Sequence, residues 1–330
     1  MIARRLALLA LSLLLVGALG ACGRESPVPK AGDSAAPPPP PAPPKMKVVA
    51  SFSILADMVA NVGGDRVAVT ALVGRDSDAH VYSPTPGDAK AILEARVVFV
   101  NGLGFEGWMN KLLAASGFTG TRVVVTDGIK VIRASGHGHS HDHKGHHHGD
   151  TDPHAWQSPV QAQRYVENIA RALAEADPEN AQGYRDRAAK YIEQLRAIDA
   201  HARERFQAIA AERRRLITSH DSFGYLAAEY GLRIRSPQGM STESEVSAKD
   251  LARLSRQIRQ ERIQALFLEN VAEPRVLEQL ARESGARVGA TLFSDALSAK
   301  VAAAGTYLGL LRYNIDTIAD ALGEPPAAVR

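Results

Sequence analysis

Short apolar runs alternate with amphipathic stretches through the first part of the chain. The apolar runs are rich in valine, a β-branched residue that favours strands. Between them, apolar residues recur at helical spacing. Strand and helix alternating in this way predict a parallel sheet with helices on both faces. The predicted strands cover residues 47–51, 67–73, 96–101 and 121–126, and the predicted helices cover residues 54–63, 89–95 and 108–116.

The same alternation returns in the second half of the chain. Strands are predicted at residues 215–220, 232–236, 263–269 and 286–293, and helices at 222–231, 274–284 and 306–322, with a further helix beginning at Ser247. We therefore expect an α/β protein with two similar lobes, each of them a parallel sheet flanked by helices.

Two helix-start signals lie between the predicted lobes. Ser158 with Pro159, and Asp177 with Pro178, each pair an N-cap residue with a first-turn proline. The first predicted helix covers residues 158–176, and the second continues towards Arg213. We expect the first to be a long, rigid connection that opposes wide hinge motion. The lobes themselves are then expected at residues 46–157 and 177–330.

The first 22 residues are typical of a bacterial export signal. Arg4 and Arg5 precede an apolar stretch of 16 residues, which is shorter than the roughly 20 residues that cross a bilayer. The stretch ends at Cys22, and residues 19–22 resemble a lipobox, in which the cysteine becomes lipidated. The alternative is a plain signal peptide with a chance cysteine. Residues 23–45 are rich in proline and are predicted to form an extended tether.

The charge balance excludes one class of partner. Without Arg4 and Arg5, which belong to the signal, 37 of the 39 basic residues remain against 36 acidic ones, a net charge of +1. A chain so close to neutrality lacks the basic surface that nucleic acids require, and we expect no nucleic-acid partner. Because the chain has a single cysteine, we also expect no internal disulfide.

Four separate residues are candidates for a metal site. In an open parallel sheet, ligands bind at the carboxyl ends of the strands, and four polar residues follow predicted strands. Their separations of 74, 66 and 75 residues exclude a zinc finger built from local spacing. Taken singly, each histidine also fits a loop or cap residue, and the aspartate fits an ordinary turn. Together, three imidazoles and one carboxylate suit a four-coordinate Zn²⁺ site. The candidates are His80, His154, His220 and Asp295.

Most other histidines crowd into one polar segment, residues 137–149. The segment consists of histidine with Gly, Ser, Asp and Lys, without an apolar anchor, and is predicted to be a flexible loop near the cleft mouth. We expect it to bind metal weakly and to collect or sense zinc; the alternative is low-complexity drift. Its histidines are His137, His139, His141, His143, His146, His147 and His148. His201, inside a helical stretch, is expected on a solvated face.

Several motifs in order resemble one family across the whole mature chain. The chain is similar to the metal-binding subunits of bacterial ABC importers for zinc and manganese, the ZnuA-like group. The resemblance is carried by DAHVYSPTPGD, DPHAW, TSHDSFGYLAAEYGL, SPQGMSTESEVSAKDLARL, LFSDALS and TYLGLLRYNIDTIADAL. It implies two lobes joined by a rigid helix, with a metal site in the cleft between them.

The resemblance also implies which residues bind metal. The family's ligands fall on the four candidates already named. His220 occupies a position at which manganese members usually carry Glu, so the resemblance favours Zn²⁺ over Mn²⁺ as the ligand. Two departures from some zinc members are Ala79, where they carry an acidic residue, and the absence of a cysteine pair. The first makes Asp295 the better candidate for the fourth ligand.

The function implied is that of an extracytoplasmic, high-affinity zinc-binding protein. It would capture Zn²⁺ and deliver it to an ABC permease in the inner membrane, powered by a cytoplasmic ATPase. We expect an exported monomer, a periplasmic or cell-surface lipoprotein tethered through Cys22, that is not an enzyme. Delivery would need only modest rearrangement of the loops around His80 or Asp295.

Three alternatives remain at this point. A manganese-binding homologue of the same transporter class differs only in its metal. A zinc-dependent hydrolase would need an open metal position holding water, which a fourth protein ligand removes. A surface adhesin would explain the tether but leaves the four separated ligands without a role.

Overall fold

The computed structural model describes residues 44–133, 151–243, 246–263 and 265–323. The predicted export signal, Cys22, most of the tether and the seven histidines of the loop lie outside these residues. Within the described ranges, no helix combines the length and the apolar character that a membrane-spanning segment requires.

The first lobe is built on a four-stranded parallel sheet with strand order β2-β1-β3-β4. The last five residues of its central strand β1 are buried, as expected for a strand covered on both faces. The strands are β1 (Met46–Phe52), β2 (Val67–Val73), β3 (Val97–Val100) and β4 (Thr121–Val124), and the helices are α1 (Ser53–Gly63), α2 (Pro86–Glu94) and α3 (Met109–Ser116).

The connection between the lobes is helical. Helix α4 (Pro159–Ala176) begins where the Ser158 hydroxyl accepts a hydrogen bond from the Gln161 amide at 3.3 Å. It is followed by α5 (Ala181–Gln207), whose 27 residues lead towards the second lobe. Helix α5 packs along α4 and also contacts α1. The predicted long helix between the lobes is therefore confirmed, although α5 ends at Gln207 and only a short 3₁₀ turn reaches Arg213.

The second lobe repeats the first. Its four parallel strands have the order β6-β5-β7-β8, so the central and edge positions match those of the first sheet. The predicted fold class, two similar α/β lobes, is confirmed. The strands are β5 (Arg215–Thr218), β6 (Arg233–Arg235), β7 (Ala265–Phe267) and β8 (Arg287–Val288), and the helices are α6 (Gly224–Tyr230), α7 (Ala248–Glu261), α8 (Pro274–Ser284) and α9 (Tyr307–Gly323).

Strand β8 is much shorter than predicted. The apolar run at residues 286–293 leaves the sheet after Val288, although Leu292 and Phe293 are buried. The side chain of Asn314 on α9 pairs with Phe293 instead, because its amide nitrogen donates to the Phe293 carbonyl at 2.7 Å and its oxygen accepts from the Phe293 amide at 3.0 Å. The Asn314 side chain thus satisfies both backbone polar groups of Phe293, while the preceding Leu292 forms an isolated parallel bridge with Glu269.

Candidate metal centre

The four candidate ligands converge between the lobes. His80 follows β2, His154 precedes α4, His220 follows β5, and Asp295 lies in the coil after β8. One nitrogen of each imidazole and one oxygen of the carboxylate lie within 4.8 Å of one another. No other group of three or more potential ligands was found within the described residues. The strand-end argument thus located four side chains that the fold brings together from distant parts of the sequence.

The spacing of these atoms fits a small tetrahedral cation. Nε2 of His80 lies 3.3 Å from Nε2 of His154 and 3.2 Å from Oδ2 of Asp295. Nε2 of His220 lies 3.2 Å from the same oxygen. Ligand bonds of roughly 2.0–2.1 Å in a tetrahedron separate neighbouring ligand atoms by about 3.3–3.4 Å. The three measured separations are therefore close to those of a tetrahedral zinc site.

The ligand atoms are shielded from water and poorly satisfied by protein. The side chains of His154, His220 and Asp295 are 0% exposed, and that of His80 is 6% exposed. Both carboxylate oxygens of Asp295 and Nε2 of His220 are buried without a hydrogen-bond partner in the described structure. Leaving buried polar atoms unpaired costs about 1–3 kcal/mol each, more when they are charged. A bound cation would satisfy Nε2 of His220 and one oxygen of Asp295 at once.

Two carboxylates orient the buried imidazoles. Nδ1 of His154 lies 2.8 Å from Oδ1 of Asp152, and Nδ1 of His220 lies 2.6 Å from Oε2 of Glu269. Glu269 also accepts hydrogen bonds from the His220 backbone amide at 2.9 Å and from the Ser222 hydroxyl at 3.1 Å. A carboxylate on Nδ1 leaves Nε2 free to bind metal and fixes the plane of the ring.

Sequence analysis missed both of these carboxylates. Glu269 follows β7, so the strand-end argument that selected the ligands also applies to it. Asp152 lies two residues before His154 and accepts a hydrogen bond from the His154 backbone amide at 2.9 Å. Neither residue carries a signal that separates it from an ordinary loop acid without the fold.

Charge complementarity shapes the ionisation of the site. Burial alone would lower the pKa of His220, but the Glu269 and Asp295 carboxylates beside it outweigh burial and raise this pKa well above its ordinary value. Burial would raise the pKa of Asp295, but His220 and His154 outweigh it and hold this pKa well below its ordinary value. The metal-free site therefore favours an aspartate anion beside a protonated His220.

The segment that carries His154 also supports Asp295. The indole nitrogen of Trp156 donates to the Ser294 carbonyl at 2.9 Å, and the side-chain amide of Gln157 donates to the same carbonyl at 2.7 Å. Trp156, fully buried, thus holds the backbone next to Asp295. The DPHAW stretch and the residue after it thus position ligands on both sides of the cleft.

His80 has a different environment from the other two imidazoles. Its ring meets the edge of Phe105 at a centroid distance of 4.8 Å, and the indole nitrogen of Trp108 donates to the carbonyl of the preceding Ala79 at 2.8 Å. Ala79 is fully buried, which explains why a small residue fits there. Two residues after His80, Tyr82 lies against Trp108 with ring centroids 5.1 Å apart.

The remaining histidines lie elsewhere. His201 on α5 is 21% exposed and its Nε2 lies 2.6 Å from Oδ1 of Asp316 on α9, so the expectation of a simple solvated face is wrong. The seven histidines between 137 and 148 lie outside the described residues. The residues that flank that segment, Arg133 and Thr151, are joined by an antiparallel bridge.

Comparison of the sequence with protein families gives one match over most of the chain. The family of the zinc-uptake complex component A, periplasmic, matches residues 48–321. This range contains all four candidate ligands and both lobes of the structure.

Individual relatives with different named metals are similar to the chain. It is 33% identical to the iron-binding protein YfeA of Yersinia pestis over 280 residues, 85% of this chain and 87% of that protein. It is also 33% identical to the manganese-binding lipoprotein MntA of Bacillus subtilis over 326 residues, 96% of this chain and 99% of that protein. The relatives thus agree on metal binding but differ in the metal.

Solved structures agree with the same fold. The periplasmic zinc-binding protein TroA of Treponema pallidum superposes with a TM-score of 0.76 at 31% identity, covering 84% of this chain and 99% of that one. A manganese-bound periplasmic metal-binding protein of Candidatus Liberibacter asiaticus gives a TM-score of 0.74 at 33% identity, covering 84% and 100%.

Proposed function

The chain belongs to the family of the periplasmic zinc-uptake complex component A, and from this premise we propose that it captures Zn²⁺ as the cargo of an ABC importer. This family consists of metal-binding subunits that supply a membrane permease, not of enzymes. Membership establishes an extracytoplasmic metal-binding subunit, and the choice of zinc is the part that is proposed here.

The observation that carries the zinc proposal is the donor set and its spacing. Three imidazole nitrogens and one carboxylate oxygen suit Zn²⁺, whereas Mn²⁺ favours carboxylate, carbonyl and water ligands. Three of the separations between ligand atoms, at 3.2–3.3 Å, are close to the edges of a zinc tetrahedron, and all four atoms lie within 4.8 Å of one another. The two orienting carboxylates, Asp152 and Glu269, each lie on the nitrogen that faces away from the cation.

Manganese is the second candidate cargo, because relatives of similar identity are named manganese-binding proteins. A cation that prefers six ligands would need both Asp295 oxygens and further donors. Oδ1 of Asp295 lies 3.8 Å from Nε2 of His154, on the side of the carboxylate away from the other two imidazoles. Binding through this second oxygen would raise the number of ligands that the site offers to Mn²⁺.

Two earlier alternatives lose support. A hydrolase would need an open metal position for water, and Asp295 occupies the fourth corner of the cluster. A surface adhesin leaves the converged ligand atoms without a function.

We further propose that lipidation at Cys22 and the tether of residues 23–45 hold the protein at the membrane as a monomer. Relatives named as lipoproteins support the anchor. Metabolic labelling with a fatty-acid analogue should mark the native protein and leave the Cys22→Ala variant unmarked. Labelling of both would contradict the anchor.

The His-rich segment is proposed to collect zinc for the cleft. Its imidazoles would bind more weakly than the cleft, since each ordered ligand costs conformational entropy. Deleting residues 137–149 should lower the total zinc bound and slow transfer from donor proteins, while one tight site remains. If zinc content, transfer and uptake at limiting zinc are all unchanged, the segment has no such role.

The cargo itself is tested by competitive metal titration of the protein without residues 137–149. We expect Zn²⁺ to bind far more tightly than Mn²⁺ and the His220→Ala variant to lose most of that preference. Equal or tighter binding of Mn²⁺ in the unsubstituted site would contradict the zinc proposal and favour manganese.

A further inference from the structure

The residues directly before His80 reach across the cleft to the other lobe. One carboxylate oxygen of Asp78 accepts the backbone amide of His80 at 2.8 Å. The other accepts the hydroxyl of Thr242 at 2.6 Å, from the segment that follows β6. A single side chain therefore links the backbone of a metal ligand to the opposite lobe.

Asp76 makes a second link across the cleft. Its backbone amide donates to the Leu297 carbonyl at 2.9 Å, and its Oδ2 accepts from the Ala299 amide at 3.0 Å. Both partners lie within four residues of Asp295, so the loops that carry two ligands are joined directly. Asp76 adopts a left-handed backbone conformation with φ of 51°, which is unfavourable for most residues and is held here by these bonds.

Arg75 completes the contact. Its guanidinium donates from Nη1 to the carbonyls of Ser298 at 2.9 Å and Gly305 at 2.7 Å. Both carbonyls belong to the segment that follows Asp295 in the chain. Four hydrogen bonds therefore join residues 75 and 76 to residues 297–305 of the second lobe.

His80 depends on these contacts more than the other imidazoles do. His154 and His220 each have a carboxylate on Nδ1, whereas within the described chain no carboxylate pairs with Nδ1 of His80. His80 is also the least buried of the three rings. Its position on the metal is therefore set chiefly through its backbone and the loop before it.

We propose that residues 75–78 form an interlobe clasp, in which Asp76 and Asp78 are positioning residues that hold His80 on the metal and whose release opens the site. This inference rests on the proposed function and adds which ligand releases the metal first. The metal first loses His80, at the cleft mouth, while the buried ligands stay in place. The side-chain bonds of the clasp are part-buried or exposed, so water can replace them more easily than it can reach the fully buried pair of His220 and Glu269.

The clasp predicts a kinetic signature. The buried ligands remain organised without it, so the rate of Zn²⁺ association should change little. The dissociation rate should rise, because His80 leaves the metal more often. Loss of a residue that orients a ligand typically weakens metal binding about 10–100-fold, and here nearly all of that change should appear in dissociation.

The experiment measures zinc dissociation by stopped-flow mixing of the zinc-loaded mature protein with excess chromogenic chelator. Thr242→Val removes only the bond across the cleft, and Asp78→Ala removes both bonds of that carboxylate. Each is expected to speed dissociation about tenfold or more. Ser77→Ala is the matched control, because the exposed Ser77 hydroxyl bonds only to Arg75 within the same loop. An unchanged dissociation rate in Thr242→Val would overturn the clasp.

A His80→Ala background separates the clasp from the proposed function. If the clasp acts through His80, adding Thr242→Val to His80→Ala should not speed dissociation further. Additional acceleration in that background would overturn the inference. If His80→Ala weakens zinc binding but Thr242→Val leaves dissociation unchanged, only the clasp is wrong. If His80→Ala leaves zinc binding unchanged, the proposed metal site itself is wrong.

Discussion

The buried side of the metal centre and its mouth are built in different ways. On the buried side, His154 and His220 are fully enclosed and each rests against a carboxylate on Nδ1. At the mouth, His80 has an exposed edge and is held by a loop that reaches to the other lobe.

The contrast separates two requirements of a metal carrier. Enclosed ligands with fixed orientation provide affinity, since little ordering remains to be done when the cation arrives. A ligand held by bonds between the lobes allows the metal to be released, because those bonds can break without unfolding either sheet. We expect the long helices α4 and α5 to oppose wide lobe opening, in which case release through the mouth needs only local movement.

Replacing His220 should give the largest effect. His220→Ala removes a ligand, leaves the buried Glu269 carboxylate without its imidazole partner, and takes one of three neighbouring imidazoles from Asp295. Breaking a buried pair in this way costs about 3–5 kcal/mol, in addition to the loss of tight zinc binding. Chelator competition and denaturant unfolding of the metal-free protein measure the two losses.

His80→Ala is the matched variant at the mouth. It should also weaken zinc binding, but it should destabilise the metal-free protein less than His220→Ala does, since Asp295 loses one contact at 3.2 Å and keeps His220, and Glu269 keeps its partner. Equal destabilisation by the two variants would contradict the distinction between mouth and buried side.

The orienting carboxylate gives the next largest effect. Glu269→Gln keeps the shape of the side chain but removes the charge beside Nδ1 of His220, and zinc affinity should fall about 10–100-fold. Ser222→Ala is the control, because it removes a hydrogen bond to Glu269 and leaves the carboxylate on the ring. Isothermal titration calorimetry of both variants measures their zinc affinities. An equal loss of affinity in the two variants would mean that the negative charge of Glu269 does not contribute to zinc binding.

Acid should weaken zinc binding. Because the pKa of His220 is raised in the metal-free protein, Zn²⁺ must displace a proton, and affinity should fall about tenfold per pH unit below that pKa. The same group has the opposite effect on metal-free stability. Its contribution is fully present below the unfolded pKa of about 6.5 and is lost as pH rises through the folded pKa.

Zinc titrations between about pH 5.5 and 7.5, in buffers of different ionisation enthalpy, measure both the affinity and the protons released. His220→Ala should release fewer protons than the native protein. A pH-independent affinity across this range would contradict the assignment of His220 as a ligand.

The smallest effect is expected from the indole of Trp156. Trp156→Phe keeps an aromatic ring in the core but removes the hydrogen bond to the Ser294 carbonyl, which still accepts from Gln157. The free energy of unfolding should fall by about 0.5–1.5 kcal/mol, with little change in zinc affinity. An affinity loss as large as that of Glu269→Gln would show that Trp156, and not the backbone around it, sets the position of Asp295.

The candidate ligands could be proposed from sequence because a simple rule places several of them at the cleft. Parallel strands end at the same edge of a sheet, so His80 and His220, each soon after an apolar run, were expected at the cleft. The resemblance to a known family pointed to the same set. The fold class followed from the alternation of apolar runs and helical patterns, which is strong in both halves.

The supporting residues could not be predicted in the same way. The bond between Asp78 and Thr242 joins residues 164 positions apart, and nothing in either local pattern indicates the partner. Asn314 bonds to both backbone groups of Phe293, yet in sequence it has the pattern of an ordinary helical residue. Such contacts depend on how the two lobes meet, which strand and helix patterns do not specify.

The central claim, that three imidazoles and one carboxylate enclose a single zinc ion, is tested most directly by X-ray absorption spectroscopy of the protein without residues 137–149, loaded with one equivalent of Zn²⁺. We predict a four-coordinate spectrum with three imidazole nitrogens and one oxygen at about 2.0–2.2 Å, and the loss of one imidazole in His220→Ala. A six-coordinate spectrum, or one with fewer than three imidazoles in the unsubstituted site, would contradict the account.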